Sequence, residues 1–445
     1  MDTGVSPASA VQQIGKSASS NLVFKHPSPE SLADRRIMLF DLSIRGHHPN
    51  YIQQLIRYWN EHAVLGSLEI VVSPKFLEEH ADVVELSKHL HRDDIRFIAI
   101  ATEEEAALKS RGSFFSRIVR AFQELRLLHK YAAIVQATHC LIMYFDTAQI
   151  PLAVGINLPC PFSGIYFRPT LHYNELMGKP LSWKEQLNQG RERFILSRVL
   201  NHPQCHRLFC LDPFAVRHFQ TRGDHHVIHL PDPVSVQPAI VQPELQEQQE
   251  LLKRSLGVAP ERRVLLLFGA LTKRKGIVQL LDVDAVALLT PEQAQQLCLL
   301  LVGEIRPGEQ AVVDGKIAAI RNSLPVQIIT HYEFVSDASV TSYFQLADVV
   351  LAPYQRHVGM SGILLQAAAA QKPVLSSDYG LMGKLVRQHK LGLTVDSAVP
   401  ARIAEGLARC LTEPPVTLAD RQKMGHWVEQ HAADHYAATI FQYLN

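Results

Sequence analysis

Short runs of large apolar residues recur along this chain, each followed by a stretch of helical periodicity, and that alternation restricts the fold more than any other feature. IMLFDLS (37–43), LEIVVSP (68–74), IRFIAIA (95–101), CLIMYFD (140–146) and RLFCLD (207–212) make a first series. A second series opens with VIHLPDPV (227–234) and RVLLLFGAL (263–271). It continues through CLLLVGEI (298–305), VQIITHYEF (326–334), DVVLAPY (348–354), KPVLSSDYG (372–380) and LGLTVD (391–396). Short apolar strands separated by helices are βα units, and they build a parallel sheet covered on both faces. At 445 residues the chain exceeds one ordinary core, so the pattern predicts an α/β protein with two Rossmann-like domains facing across a cleft. The boundaries we place are a flexible tail over 1–30, an N-terminal domain over 31–226, a C-terminal domain over 227–417 and a helical segment over 418–445. The Gln-rich stretch 235–253 reads as a linker or surface loop.

Charge and cysteine usage narrow the partners. Forty-four basic residues against 43 acidic ones leave a net charge of +1, so no global field recruits nucleic acid and any anion site is local. No apolar run approaches the ~20 residues that span a bilayer. Cys140, Cys160, Cys205, Cys210, Cys298 and Cys410 show no framework spacing, and the start MDTGVSPASAVQQ lacks the features of a secretory signal. Reduced thiols and a cytoplasmic location are the expectation. His202, Cys205, His206 and Cys210 lie close enough in sequence to suggest zinc. RLFCLDPFA, however, reads as a buried strand running into a turn, which makes Cys210 a core residue. No metal and no other cofactor is expected.

Functional loops of a parallel sheet lie at the carboxyl ends of its strands, where helices begin. Three such loops stand out. In GALTKRKG (269–276), Gly269 and Gly276 permit tight turns while Lys273, Arg274 and Lys275 crowd a helix start. The helix dipole repels cations there unless an anion is present. A bound diphosphate explains them, and so do plain solvated side chains. In PYQRHVGMSGILLQAAAAQKPVL (353–375), Gly359, Ser361 and Gly362 form a small-residue loop opening a helix. Its free amides can hold phosphate oxygens, and Ser361 can cap the helix or touch a ligand. Gln366, one turn inside, can reach a ribose hydroxyl or simply face solvent. In IRGHHPN (44–50), Gly46 allows close backbone approach, Pro49 begins a helix, and His47 or His48 can touch a sugar or acceptor. Asp282-Val283-Asp284 looks like a metal motif. It falls inside the helix after Gly276, where positions two apart diverge. No GxGxxG and no Walker-type loop is present, so nucleotide hydrolysis and nicotinamide chemistry lack support.

FGALTKRKGIVQLL, LLLVGE, ADVVLAPY and SGILLQAAAAQKPVLSSDYG, in that order and spacing, resemble the donor half of family 4 retaining glycosyltransferases, a group with the GT-B fold. The likeness covers about 227–396; the first half matches in pattern only. The resemblance implies a nucleoside diphosphate sugar held by the C-terminal domain, an acceptor (glycan, lipid-linked or small molecule) held by the N-terminal one, and no metal. It places Lys275 on the family's phosphate-binding lysine and Gln366 on the second glutamate of a paired motif. Val358 stands where the first glutamate belongs, and Ala270 where an arginine often stands, with Arg274 as its substitute. Asp146 stands near the position of a mid-domain histidine beside the reacting sugar. As a sugar-hydroxyl acceptor or a turn cap, it reads equally well. Arg168, His172 and Tyr173 in SGIYFRPTLHY (163–173) can shape the acceptor side.

The expected site therefore has Lys275 and Asp146 as catalytic residues, and Gly269, Arg274, Lys275, Gly359, Ser361, Gly362 and Gln366 around the donor. Gly46, His47 and Arg168 lie on the acceptor or sugar side. The missing glutamates leave a second reading open, a relative that binds nucleotide sugars as a scaffold without transfer; a nucleotide-sugar epimerase of similar build is a third. The stretch 108–131 is basic and amphipathic, with Phe114, Phe115, Ile118, Val119 and Phe122 along one side. It suits either adsorption to anionic lipid at the inner membrane face or ordinary packing on the sheet.

Overall fold

The computed structural model describes residues 34–444, apart from 45, 90–91, 110–111, 178–181, 235–241 and 336; the tail expected over 1–30 lies outside the described residues. Two parallel sheets carry the fold. The first contains β1 (Arg36–Asp41), β2 (Ser67–Val72), β3 (Ile95–Ala99), β4 (His139–Ile142), β5 (Phe162–Tyr166), β6 (Cys205–Cys210) and β7 (Val227–His229), in the order β3-β2-β1-β4-β5-β6-β7. The second contains β8 (Arg263–Phe268), β9 (Leu297–Val302), β10 (Gln327–His331), β11 (Val349–Ala352), β12 (Val374–Ser377) and β13 (Gly392–Val395), in the order β10-β9-β8-β11-β12-β13. Every pairing is parallel. Both faces of each sheet are covered, which is why a central strand such as LCLLLV of β9 is buried at every residue.

Six helices matter most for the site and its surroundings: α1 (His48–Glu61), α2 (Phe114–Ile134), α3 (Trp183–Leu200), α4 (Gln242–Ser255), α5 (Gly362–Ala369) and α6 (Ala433–Leu444). Strand order reverses between β1 and β4 in one sheet and between β8 and β11 in the other. A crevice opens at such a point because neighbouring connections leave in opposite directions. All three candidate loops leave β1, β8 or β11, so both crevices are lined by them.

The structure departs from the expected boundaries in several places. Val227–His229 does not open the second domain; it pairs with β6 as the edge of the first sheet. The Gln-rich stretch is helical from Gln242, since Gln, Glu and Leu are good helix formers. The helix expected after Gly276 breaks into Ile277–Leu280 and Val283–Val286. Asp282 sits at that break as an N-cap, its carboxylate accepting from Ala285 N at 3.2 Å, so it is engaged by backbone. Cys205 and Cys210 stand at opposite ends of β6, and all six cysteines are buried and free.

The last helix belongs to the first domain in space. Tyr436, Ala437, Ile440 and Phe441 of α6 enter the core that Tyr51 and Trp59 of α1 build on the first sheet. Beneath them Asp232 is buried and accepts a hydrogen bond from Tyr51 Oη. Burial pushes its pKa from 3.8 up to about 6, against the opposing pull of that bond. A raised folded-state pKa means the native state holds the proton more tightly. Asp232 therefore contributes its full stability below about pH 4 and loses it as pH rises through about 6. We expect Asp232→Asn to gain on the order of 2 kcal/mol relative to wild type between pH 4 and pH 7. Urea midpoints at the two pH values test this; a pH-independent difference between the chains would refute it.

Candidate functional site

β8 ends at Phe268, and the chain turns through Gly269 into one 3-10 turn, Lys273–Lys275, before Gly276. Lys275 folds back over this turn, and its Nζ donates to Phe268 O at 2.6 Å. It fills the space beside Gly269, where any Cβ would collide with the ammonium. Among the described residues no carboxylate pairs with Lys275. The expectation of three cations at the positive end of a long helix is not met. The helix beginning after Gly276 has four residues, too few to sum a sizeable dipole.

β11 is the neighbour of β8, so its loop stands beside this turn. Gln355 N donates to Arg274 O at 2.7 Å, and Gly276 lies against the Pro353 carbonyl. Arg274 and Lys275 both stand over the Tyr354 ring, 5.7 and 5.6 Å from its centroid. Ser361 Oγ donates to Tyr354 Oη at 3.4 Å. Lys275 and the Ser361 loop thus meet on one aromatic ring. Ser361 holds the N-cap position of α5 by backbone, yet its side chain makes no capping bond, so it leaves the first-turn amides to other partners. Gly362 is exposed at the head of α5, and Gln366 is half-buried one turn further in. Val358 packs against the second domain's core.

Tyr354 and His357 are central here and carry no role in the sequence reading, although both stand in the quoted loop. Arg274 Nη1 donates to His357 Nδ1 at 2.9 Å, and His357 Nε2 faces Met360 O at 3.4 Å. Burial, then Arg274, then Arg168 and Lys275 push the His357 pKa to about 4, with the Met360 bond opposing. His357 is therefore neutral near pH 7 and accepts from Arg274. Three cations converge on it, and one of them, Arg168, comes from the other domain. Three cations gathered near one neutral imidazole are suited to an anion of more than one charge.

On the facing side, Asp146 lies in a 3-10 turn just past β4 (Phe145–Thr147), not at the strand end itself. Its Oδ2 accepts from Phe167 N at 2.9 Å, which fixes the loop carrying Arg168. Burial pushes its pKa to about 6, while the Phe167 bond and Arg168 pull it down. Arg168 is exposed in this loop. His47 stacks on Phe167 and His48 with centroids 4.6 and 4.4 Å apart. His48 Nδ1 meets Asp41 Oδ2 at 2.6 Å in a buried pair at the end of β1. Gly46 has open space around it.

Gly359 differs from its expected role. Its N–H donates to Tyr173 Oη at 2.8 Å, and its Cα faces the Phe167 carbonyl so closely that a Cβ would stand 2.7 Å from that oxygen. It joins the two domains, and its amide is committed to that joint and not to a ligand. Arg168 lies alongside, its Cγ 3.6 Å from the same Cβ position. Arg168, Arg274, Lys275 and the Ser361 loop are thereby brought together; Gly46, with open space around it, makes none of these contacts.

Residues 248–431 match the family model described as glycosyl transferases group 1, over the stretch whose motifs carry the family resemblance. D-inositol 3-phosphate glycosyltransferase of Jonesia denitrificans is 27% identical over 261 residues, covering 58% of this chain and 57% of its own length. The Arthrobacter sp. enzyme of the same name is 26% identical over 207 residues, covering 43% and 47%. The chain thus spans about half the length of these curated relatives. Sucrose-phosphate synthase of Thermosynechococcus elongatus superposes with a TM-score of 0.65 at 15% identity, covering 92% of this chain and 99% of the other. Anabaena HepE, solved in complex with UDP, superposes with a TM-score of 0.61 at 15% identity, covering 92% and 99%. Residues 248–431 are a glycosyl transferases group 1 domain, set in the two-domain GT-B fold.

Proposed function

We propose that this chain is a glycosyltransferase that moves a sugar from a nucleoside diphosphate donor to an acceptor held against its first domain. The observation that carries this reading is the meeting of Lys275, Arg274 and Arg168 around neutral His357, beside the uncapped first turn of α5. Such a group of cations and amides matches the charge that a departing nucleoside diphosphate develops, so no metal is called for. Gln366 would bind the ribose hydroxyls, and His47 and Asp146 would bound the sugar. In the retaining course that the family resemblance implies, the bond from the anomeric carbon to the phosphate oxygen breaks. The acceptor oxygen then bonds that carbon on the same face, and its proton passes to the leaving phosphate. Val358 in place of an acidic residue, packed on the core, favours a second reading in which donor binding persists without transfer.

Calorimetry against UDP, GDP, ADP and their glucose conjugates, followed by assay for released sugar, tests both. One diphosphate should bind in preference, and a ligand at 100 times its dissociation constant should add about 2.7 kcal/mol to stability. Binding with no hydrolysis and no transfer to any acceptor would select the second reading. No binding by any nucleotide would remove both.

A further inference from the structure

Helix α3 is apolar on two opposite sides. Leu196 and Val199 face inward and are buried, and Glu192 on that side accepts from Tyr166 Oη at 2.7 Å and Thr170 N at 2.8 Å. Trp183, Leu187 and Phe194 are 66, 64 and 68% exposed. At 3.6 residues per turn they fall within about 40° of one another, on the face pointing away from the core. Phe114 and Phe115, at the start of α2, are 56 and 75% exposed, and Arg191 of α3 stands 5.8 Å over the Phe114 ring. That contact sets the exposed rings of α2 beside the α3 stripe, and we treat the two together as one aromatic ridge. Isolated exposed apolar residues are ordinary on a protein surface, but a cluster of five with three phenylalanines and a tryptophan is not.

The charges around the ridge select its partner. Lys184, Arg191 and Arg198 flank the α3 stripe on one side and Arg193 on the other, and Arg117 stands exposed on α2. The acidic residues of α3 are both engaged. Glu185 is held by Ser182 in a capping box, and Glu192 faces the core. Aromatic side chains rimmed by cations that make no ion pair among the described residues match an anionic bilayer surface, where rings settle at headgroup depth and basic groups meet phosphates. No helix among the described residues is long and apolar enough to cross a membrane, so contact through this ridge would be peripheral. Glu192 also ties α3 to Thr170, two residues beyond Arg168, so the ridge backs directly onto the loop on the acceptor side of the cleft.

We propose that the α2–α3 ridge docks the protein on an anionic lipid surface. If the transfer reading holds, the acceptor is carried on a lipid; the docking itself does not depend on that reading. The test is co-sedimentation of the full chain with phosphatidylcholine vesicles containing phosphatidylglycerol, against phosphatidylcholine alone. Wild type should bind the anionic vesicles and release from them as salt rises. Trp183→Glu with Phe194→Glu should reduce the bound fraction at least about tenfold. Leu288→Glu, which alters an exposed apolar residue elsewhere, should not. Melting curves and nucleotide calorimetry on the same variants confirm that the fold and donor site are intact. Equal binding by wild type and the double variant, or no binding by wild type, overturns the proposal. So does a wild-type dimer that the double variant dissociates, which would give the ridge to a second copy. Absence of nucleotide binding by wild type, with vesicle binding retained, would sink both donor-binding readings and leave the docking standing.

Discussion

Under the proposed function, we expect Lys275→Ala to lower kcat/KM for sugar transfer by about 10²–10³-fold, the equivalent of ~3–4 kcal/mol of transition-state stabilisation. Charge on the leaving diphosphate grows as the glycosidic bond breaks, so an ammonium beside it is felt more in the transition state than in the bound donor. The fall should therefore appear in kcat as well as in KM. Stability should change by no more than ~1 kcal/mol, because the ammonium makes a hydrogen bond to one carbonyl, Phe268 O, and no ion pair among the described residues. Lys275→Arg should recover little, since the larger guanidinium must enter the space that Gly269 leaves for the amine. Steady-state kinetics with the preferred donor and a melting curve on the same preparation are the measurements. Turnover equal to wild type would take Lys275 out of the site.

Gly276→Ala, one residue on, does the opposite and strikes the scaffold. Gly276 has φ +81° and ψ 14°, a left-handed conformation that costs an L-residue about 1–2 kcal/mol. A Cβ there would also overlap the Pro353 carbonyl oxygen, so the β8 and β11 loops must part. We expect a total loss of about 3–4 kcal/mol in unfolding free energy. Donor affinity should drop too, because the bond from Gln355 N to Arg274 O and the stacking of both cations on Tyr354 depend on that closeness. Chemical denaturation and nucleotide calorimetry read the two effects separately. A variant as stable as wild type would show that the loops are not locked together at this position.

The contrast between these neighbours reflects how the site is assembled. Lys275 and Gly276 are both legible in GALTKRKG, because a basic run between two glycines after an apolar strand is a local pattern. Tyr354 and His357 stand in an equally visible loop without betraying a role. An aromatic ring that gathers two cations is recognisable only once β8 and β11 are known to be neighbours. Gly359 reads as a ligand residue for the same local reason that serves Gly276, yet its amide is committed to Tyr173, 186 residues away in sequence. Asp146 reads as a strand-end acceptor or a turn cap, and its hydrogen bond to Phe167 N ties down the Arg168 loop.

The residue order alone determined the βα rhythm, the pair of parallel sheets and the loops at strand ends, because side-chain periodicity and burial are short-range properties written every few residues. Tertiary structure decided which strand borders which, that Val227–His229 completes the first sheet, and that α6 returns to pack on α1. It also decided that Arg168 of the first domain lies beside Gly359 of the second, close enough for its charge to be felt at His357. Those outcomes rest on contacts between residues far apart in the chain, whose energies depend on the closed shape of both domains and on no single stretch of sequence.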